Sequence, residues 1–294
     1  MERENTHTWN KIRRQKKNEQ PRERRMSLCI AAIAKEKDAD RVVICTDKQV
    51  STSHEKAETE TKGRIIAHDL MVLYAGIISN AHELVGIYIK HLNRHPLNLK
   101  NDDPFEPLRT PPQVYRQRQI NELVQARLGI SYDRFLKNGK KELDPEIFRE
   151  TLFDISRIEV GVHLVICGFV GGKAAKVFLF DGVRVTEESH FACIGTGAAA
   201  AQHSLFRQGQ DSDAPFGQTL YNVWEAKKFG ELAPTVGERK TDILMLEPGF
   251  PEETGHMRFV RDSGKAFLDA QYALYGPKSV PSDFALPDGS LLGV

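Results

Sequence analysis

Two groups of short apolar runs, rich in β-branched residues, lie on either side of a long stretch with helical periodicity. These runs are residues 27–34, 42–46, 64–68 and 70–74 in the first group, and 160–169, 175–180, 183–186, 191–194 and 241–246 in the second. Several of their connections contain turn residues, such as Gly171-Gly172 and Asp181-Gly182, which favour hairpins. Because hairpins make antiparallel sheets, the sequence predicts an α+β fold in which two antiparallel sheets lie between helical layers.

Helices are predicted between and after these strands. Asn80 and Glu83 have the spacing of a capping box ahead of apolar residues at helical intervals. Thr110 opens a second helix, and Asp144 before Pro145 predicts the N-cap of a third. The residues expected to face inward on the second and third helices are Val114, Ile120, Leu123, Val124, Leu128, Ile147, Phe148, Leu152 and Ile155. Further helices are predicted after residue 197, over 216–229 and over 265–275.

Charge and cysteine content exclude several classes of protein. The chain has 41 Lys+Arg against 40 Asp+Glu, a net charge of +1, so bulk electrostatics does not hold it to nucleic acid or to a membrane. No run approaches the roughly 20 apolar residues of a membrane span. The 4 cysteines are widely separated, which excludes a disulfide-dense scaffold and a zinc ribbon. We therefore expect a cytoplasmic protein with reduced thiols and neither a nucleic-acid nor a membrane partner.

The amino-terminal segment differs in composition from the rest of the chain. Residues 1–25 contain 9 Lys/Arg and almost nothing apolar, so they are predicted to be disordered. They are interpreted as a basic tail, a removed pro-segment or the result of a start codon assigned too early. The predicted domain organisation is a main domain over 26–247, a largely helical insertion at about 95–157, and a carboxy-terminal extension over 248–294.

Groups that carry chemistry fall at the ends of neighbouring strands in the first half. Ser27 begins the first strand, Asp47 ends the second, Lys62 precedes the third and Gly76 ends the fourth. An ammonium near a carboxylate can lower the proton affinity of a nucleophile, and a glycine N–H can face an oxyanion. Solvated hairpin ends also carry Asp, Lys and Gly, so the pattern by itself leaves the function open.

Ordered short motifs in both halves resemble those of proteasome β-subunits and of the related bacterial two-ring peptidase. In the first half these are Thr46-Asp47 with Ser51, Lys62, and Ala75-Gly76; in the second they are residues 164–168, 177–182 and 193–197. The resemblance covers residues 27–247 apart from the insertion. It implies the N-terminal nucleophile (Ntn) hydrolase fold, a four-layer αββα sandwich of two antiparallel sheets between helical layers.

The same resemblance implies amide hydrolysis through an acyl-enzyme. Ser27 would be the nucleophile and, through a free α-amine exposed by processing, its own base. Lys62 would tune the nucleophile and Asp47 would orient Lys62, while the Gly76 N–H would bind the oxyanion. Thr196 would hold the amine. The positions that match the lining of the family's first specificity pocket are Val50, Glu60, Tyr74 and Ile78.

Partners and cofactors follow from the resemblance as expectations. It implies a peptide or protein substrate, a homo-oligomer that is a ring or derived from one, a possible ATPase partner, and neither a metal nor an organic cofactor. An apolar stripe on the insertion also favours an assembly. An assembly is also favoured by five apolar residues of the carboxy-terminal segment, which a free tail would expose: Phe267, Leu268, Tyr272, Leu274 and Tyr275.

Two alternative functions stay open. The first is a non-catalytic subunit that keeps the fold for structure or interaction. The second is a nucleotide-binding protein that uses residues 195–200, since Gly195-x-Gly197-x-x-Ala200 between a strand and a helix matches a dinucleotide fingerprint. The surrounding sequence lacks a parallel βαβ unit, so a tight strand-to-helix turn also explains these glycines. His91 and His95 are four residues apart, but the sequence offers no third metal ligand near them.

Overall fold

A computed structural model describes residues 28–47, 49–51, 56–58, 62–97, 105–232, 241–250, 256–276 and 292–293. Side chains are described in all of these ranges except 49–51, 56–58 and 292–293. Ser27, Glu60 and the basic segment 1–25 lie outside the described residues, so the predictions made for them are not tested.

The strands are β1 (Leu28–Glu36), β2 (Ala39–Asp47), β3 (Gln49–Ser51), β4 (Lys56–Glu58), β5 (Gly63–Ala67), β6 (Leu70–Gly76), β7 (Val162–Val170), β8 (Ala174–Phe180), β9 (Val185–Glu188), β10 (Phe191–Gly195), β11 (Thr241–Leu246), β12 (Met257–Val260) and β13 (Leu292–Gly293). The helices are α1 (Ile78–Leu92), α2 (Glu106–Leu128), α3 (Tyr132–Glu142), α4 (Pro145–Ser156), α5 (Ala198–Arg207), α6 (Phe216–Gly230) and α7 (Asp262–Tyr275).

The strands form two large antiparallel sheets and one short pair. Sheet I has the order β10-β1-β2-β11-β12-β13, and sheet II has the order β5-β6-β7-β8-β9. Strands β3 and β4 pair with each other. The predicted α+β class with two antiparallel sheets is therefore confirmed.

Alternation along the strands explains how the sheets stack. Cys29 and Ala31 of β1 pack against Leu73 of β6 in a core between the two sheets. Leu28 and Ile30 point to the other face of sheet I, where they meet α5 and α6. The outer face of sheet II packs against α1 and α2. Successive strand residues face opposite sides of a sheet, and each side packs against another layer. Both faces of each sheet are therefore buried, and the layers follow the order helix, sheet, sheet, helix.

The helical insertion differs in detail from the prediction. Helix α2 begins at Glu106 rather than at Thr110, and α3 was not predicted. The three helices share a small core of their own, formed by Ile120, Val124, Phe135 and Ile155. The predictions were wrong for Val114, Ile147 and Leu152, which are 50%, 43% and 39% exposed, because the insertion is too thin to bury a full stripe on each helix.

Helix starts confirm one sequence prediction and correct another. The Asp144 carboxylate accepts from the Glu146 N–H at 2.8 Å, which confirms the predicted N-cap of α4. Helix α1 instead begins at Ile78, behind an N-cap residue without a side-chain cap. The capping box at Asn80 was therefore wrong; the Asn80 side chain donates instead to the Val160 carbonyl, 80 residues along the chain.

The carboxy-terminal segment is part of the main structure. Strand β12 pairs with β11 in sheet I, and α7 packs on the sheet I core. Leu268 is fully buried in this core, with Tyr272 and Tyr275 packed against it. Leu268, Tyr272 and Tyr275 therefore pack on the chain's own core and do not support the expected assembly, whereas Leu274 is 68% exposed. Among the helices that the structure describes, none has the length and apolar content needed to cross a bilayer.

Candidate active site

Four strand ends meet at one end of the two-sheet core. Asp47 is the last residue of β2, and Lys62 immediately precedes β5, so the two come from different sheets. The Lys62 Nζ forms an ion pair with the Asp47 Oδ1, and their side chains are only 4% and 0% exposed. The ion pair that the sequence predicted is present. It places a buried, compensated cation where the two sheets come together.

The start of β1 is tied to the same place through Cys29. Its thiol donates to the Tyr74 carbonyl at 3.6 Å, and the Tyr74 N–H donates to the Lys62 carbonyl at 3.1 Å. Burial raises the pKa of the Cys29 thiol far above its usual value, although the Lys62 charge opposes that rise. Burial therefore favours the protonated thiol, and its hydrogen bond to Tyr74 joins β1 of sheet I to β6 of sheet II.

Gly76, at the end of β6, lies where only glycine fits. Its φ is 116°, and a Cβ there would overlap the carbonyl oxygen of Gly161. The Ile77 N–H donates to the same oxygen at 3.0 Å, on the β7 side of the strand, whereas the Tyr74 N–H is directed to the β5 side. Backbone N–H groups alternate along a strand, so the alternation directs the Gly76 N–H to the β5 side of β6, the side on which the Tyr74 N–H meets the Lys62 carbonyl two residues earlier.

Two further elements surround the start of β1. Leu28 pairs with Gly195, and Thr196, which follows Gly195, is exposed. On the other side, Gly230 at the end of α6 packs so closely on Leu28 that a Cβ would overlap the leucine side chain. Leu28, the first residue of β1, therefore lies between the β10–α5 turn and the end of α6, beside the strand that ends at Asp47.

The residues predicted to line a specificity pocket are only partly described. Tyr74 is 2% exposed in the core under α1, with its hydroxyl 3.2 Å from the His82 Nε2. Ile78 is the half-buried first residue of α1. Val50 lies in β3, where side chains are not described, and Glu60 lies outside the described residues. The packing of Tyr74 fits a core residue as well as a pocket wall.

Sequence reasoning missed a buried lysine near this site. Lys227 of α6 has a side chain that is 1% exposed, an ion pair with Glu231, and an Nζ that lies 5.2 Å from the centroid of the Trp224 ring. Burial is the main cause that lowers the pKa of Lys227 to about 8, while the charge of Asp47 acts against that shift. Lys227 lies three residues after Trp224, a spacing that predicts a contact with the ring. That spacing does not predict which lysine is buried, because the neighbouring Lys228 also contacts the ring.

The structure around residues 195–200 and around His91 and His95 differs from that of the dinucleotide and metal sites considered from the sequence. Residues 195–200 begin at the last residue of β10, which lies at an edge of sheet I and is antiparallel to β1, so the parallel βαβ context of the dinucleotide fingerprint is absent there. The centroids of the His91 and His95 rings lie 4.7 Å apart with the ring planes tilted by 34°, and burial lowers the pKa of His91, assisted by the charge of His95. Within the described ranges, no group of three or more His, Cys, Asp or Glu could hold a metal.

The site thus consists of Asp47, Lys62 and Gly76 around the start of β1, with Cys29 and Tyr74 joining the sheets behind them. A buried ammonium and a backbone N–H directed to the same side can stabilise negative charge. No protein-family model matches the chain, and no curated protein matches it significantly in sequence.

Proposed function

We propose that the chain is a proteasome-like Ntn hydrolase, which cleaves amide bonds through an acyl-enzyme on Ser27 after the amine of Ser27 is exposed. The observation that carries this proposal is the buried Lys62–Asp47 ion pair beside the start of β1. A fully buried ion pair is weak evidence for stability, since apolar residues of similar size often stabilise a fold as well. The position of the pair, where several strand ends meet, is better explained by a role in activating a nucleophile.

The nucleophile is argued from chain connectivity. Consecutive Cα atoms are about 3.8 Å apart, so Ser27 cannot be far from Leu28, the first residue of β1. The Lys62 ammonium lowers the proton affinity of a nearby hydroxyl, and the Asp47 carboxylate orients Lys62 and compensates its charge. A free α-amine on Ser27 then takes the hydroxyl proton as the general base and gives it to the leaving amine when the amide C–N bond breaks, after which water hydrolyses the ester on Ser27.

Charge that develops on the substrate carbonyl needs a donor on the same side. The Gly76 N–H would supply it, because the alternation along β6 directs this group to the β5 side of the strand, which is also the side of Lys62. Thr196 follows the residue that pairs with Leu28, so its hydroxyl is a candidate to hold the Ser27 amine. The substrate class is a peptide or protein, with Tyr74 and Ile78 near its first side chain. By the same resemblance, we propose a ring-like homo-oligomer that works with an ATPase.

The experiment measures processing and activity on the full-length protein. The first residue and intact mass are determined, and hydrolysis of a fluorogenic peptide amide is followed for the wild type and for Ser27→Ala and Ser27→Thr. The proposal predicts Ser27 as the first residue, loss of activity in Ser27→Ala and retention in Ser27→Thr. Ser79→Ala, which removes an exposed hydroxyl at the start of α1, is the matched control.

Two outcomes would reject the proposal. One is an active protein that keeps residues 1–26, because the mechanism needs the Ser27 amine. The other is a chain processed to Ser27 whose hydrolysis is unchanged in Ser27→Ala. An inactive protein that keeps its amino-terminal segment would favour the non-catalytic subunit instead.

A further inference from the structure

We propose that Asn80 is a positioning residue for the Gly76 N–H, which it fixes through the Val160–Gly161 segment. This inference rests on the proposed function, in which Gly76 binds the oxyanion. Asn80 lies in the first turn of α1, yet its side-chain amide donates to the Val160 carbonyl at 3.0 Å. A polar residue at this position usually serves its own helix end, so a contact 80 residues away is a tertiary role.

The Val160–Gly161 segment and the β6–α1 turn interlock closely. The Gly161 carbonyl accepts from the Ile77 N–H at 3.0 Å and also lies where a Cβ of Gly76 would be. In the other direction, a Cβ on Gly161 would come within 2.9 Å of the Ile77 side chain and 3.8 Å of the Asn80 Nδ2. Both glycines have positive φ, 116° and 68°. Neither segment can shift without the other.

Asn80 stabilises this crossing, the contact between the Val160–Gly161 segment and the β6–α1 turn, through its hydrogen bond to the Val160 carbonyl. Val160 is 3% exposed, so little solvent is available to replace the Asn80 donor if it is removed. The segment would then keep the Ile77 hydrogen bond but lose its second attachment, and the Gly76 N–H would lose its fixed direction. An oxyanion donor works because it is already in place when charge develops, so this loosening lowers the rate of the chemical step.

The crossing is also where the helical insertion returns to sheet II. Residues 158–161 follow α4, and β7 begins at Val162, which pairs with Gly76. Asn80 therefore joins the end of the insertion to the turn that carries the proposed oxyanion donor.

The test compares Asn80→Asp with Ser79→Ala in the full chain. Asn80→Asp keeps the size of the side chain but replaces the donor with a carboxylate that repels the Val160 carbonyl. Ser79→Ala is matched because it removes the neighbouring exposed hydroxyl, which donates to the Asn80 Oδ1 at 3.3 Å, and leaves the Asn80 Nδ2 donor in place. For Asn80→Asp we expect kcat for a peptide amide to fall about tenfold with KM within about twofold, and no change for Ser79→Ala. Asn80→Ala removes the donor without adding charge, and replaces Asn80→Asp if that variant does not fold.

Amide hydrogen exchange provides a readout that does not depend on activity. We expect exchange to accelerate at Gly76 and Ile77 in Asn80→Asp, with amides of sheet I unchanged. Unchanged exchange at these two amides, or an acceleration spread over the whole chain with kcat and KM altered together, would overturn the proposal. If the wild-type protein hydrolyses no peptide, the proposed function fails, and exchange alone decides whether Asn80 fixes this turn.

Discussion

Replacing Lys227 by methionine tests whether burial of the Lys227 ammonium lowers the stability of the protein. The Lys227 side chain is 1% exposed, pairs with Glu231 and lies over the Trp224 ring, so its ammonium is almost fully removed from water. Burial, with a smaller effect from Lys228, lowers its pKa from 10.5 to about 8. A difference of that size between the folded and unfolded states corresponds to about 3 kcal/mol.

The sign of the pH dependence follows from which state holds the proton. Below about pH 8, Lys227 is protonated in both states, and the cost of burying its charge is fully present. Between about pH 8 and 10.5 the unfolded chain keeps a proton that the folded chain has lost, so the free energy of unfolding rises with pH. From pH 7 to pH 10 the contribution of Lys227 should rise by about 2.5 kcal/mol.

The assay is urea unfolding of wild type and Lys227→Met at a series of pH values in reducing buffer. The stability of the wild type relative to the variant should increase by about 2.5 kcal/mol over this range. Lys228→Met removes a lysine that contacts the same ring but is 22% exposed, and it should keep most of the wild-type pH dependence, because burial of Lys227 is the larger cause of the shift and the charge of Lys228 a smaller one. Parallel curves of unfolding free energy against pH for wild type and Lys227→Met would contradict this prediction, since burial of the ammonium would then cost no stability.

Three other perturbations have defined results. Asp47→Asn or Lys62→Met alone should destabilise the protein by about 3–5 kcal/mol in chemical unfolding, and the double variant should recover most of that loss; additive losses would mean that the pair does not interact. Gly76→Ala should cost at least about 2 kcal/mol and abolish hydrolysis, because the new methyl group would overlap the Gly161 carbonyl; a stable, active variant would contradict the crossing described here. A dinucleotide at about 1 mM should leave the melting temperature unchanged, and a dose-dependent rise would instead support nucleotide binding at residues 195–200.

The sheets could be predicted because their signals are local. β-branched runs and turn pairs such as Gly171-Gly172 specify hairpins without knowledge of the rest of the chain, and both glycines have the positive φ that such turns require. The start of α1 could not be predicted in the same way. The spacing of Asn80 and Glu83 suits a capping box, but a buried carbonyl at Val160 takes the Asn80 side chain instead.

The candidate site was predictable only as an order of residues along the chain. Asp47 and Lys62 fall at strand ends in the sequence, but their ion pair requires the two sheets to stack with these ends together. The contribution of Cys29 could not be foreseen, since an inward-facing thiol and an ordinary core residue have the same pattern. Lys227 was missed for a related reason, because helical periodicity does not indicate which of two adjacent lysines is buried.

Trapping the acyl-enzyme shows whether Ser27 carries the acyl group. The full-length protein is incubated with a slowly hydrolysed activated peptide ester, the reaction is quenched in acid, and the intact chain and its peptides are weighed by mass spectrometry. The account predicts one acyl group per chain, located on Ser27 in a peptide that begins with Ser27, and no acyl group in Ser27→Ala. An acyl group on Cys29 or elsewhere, or on a chain that still carries residues 1–26, would contradict it.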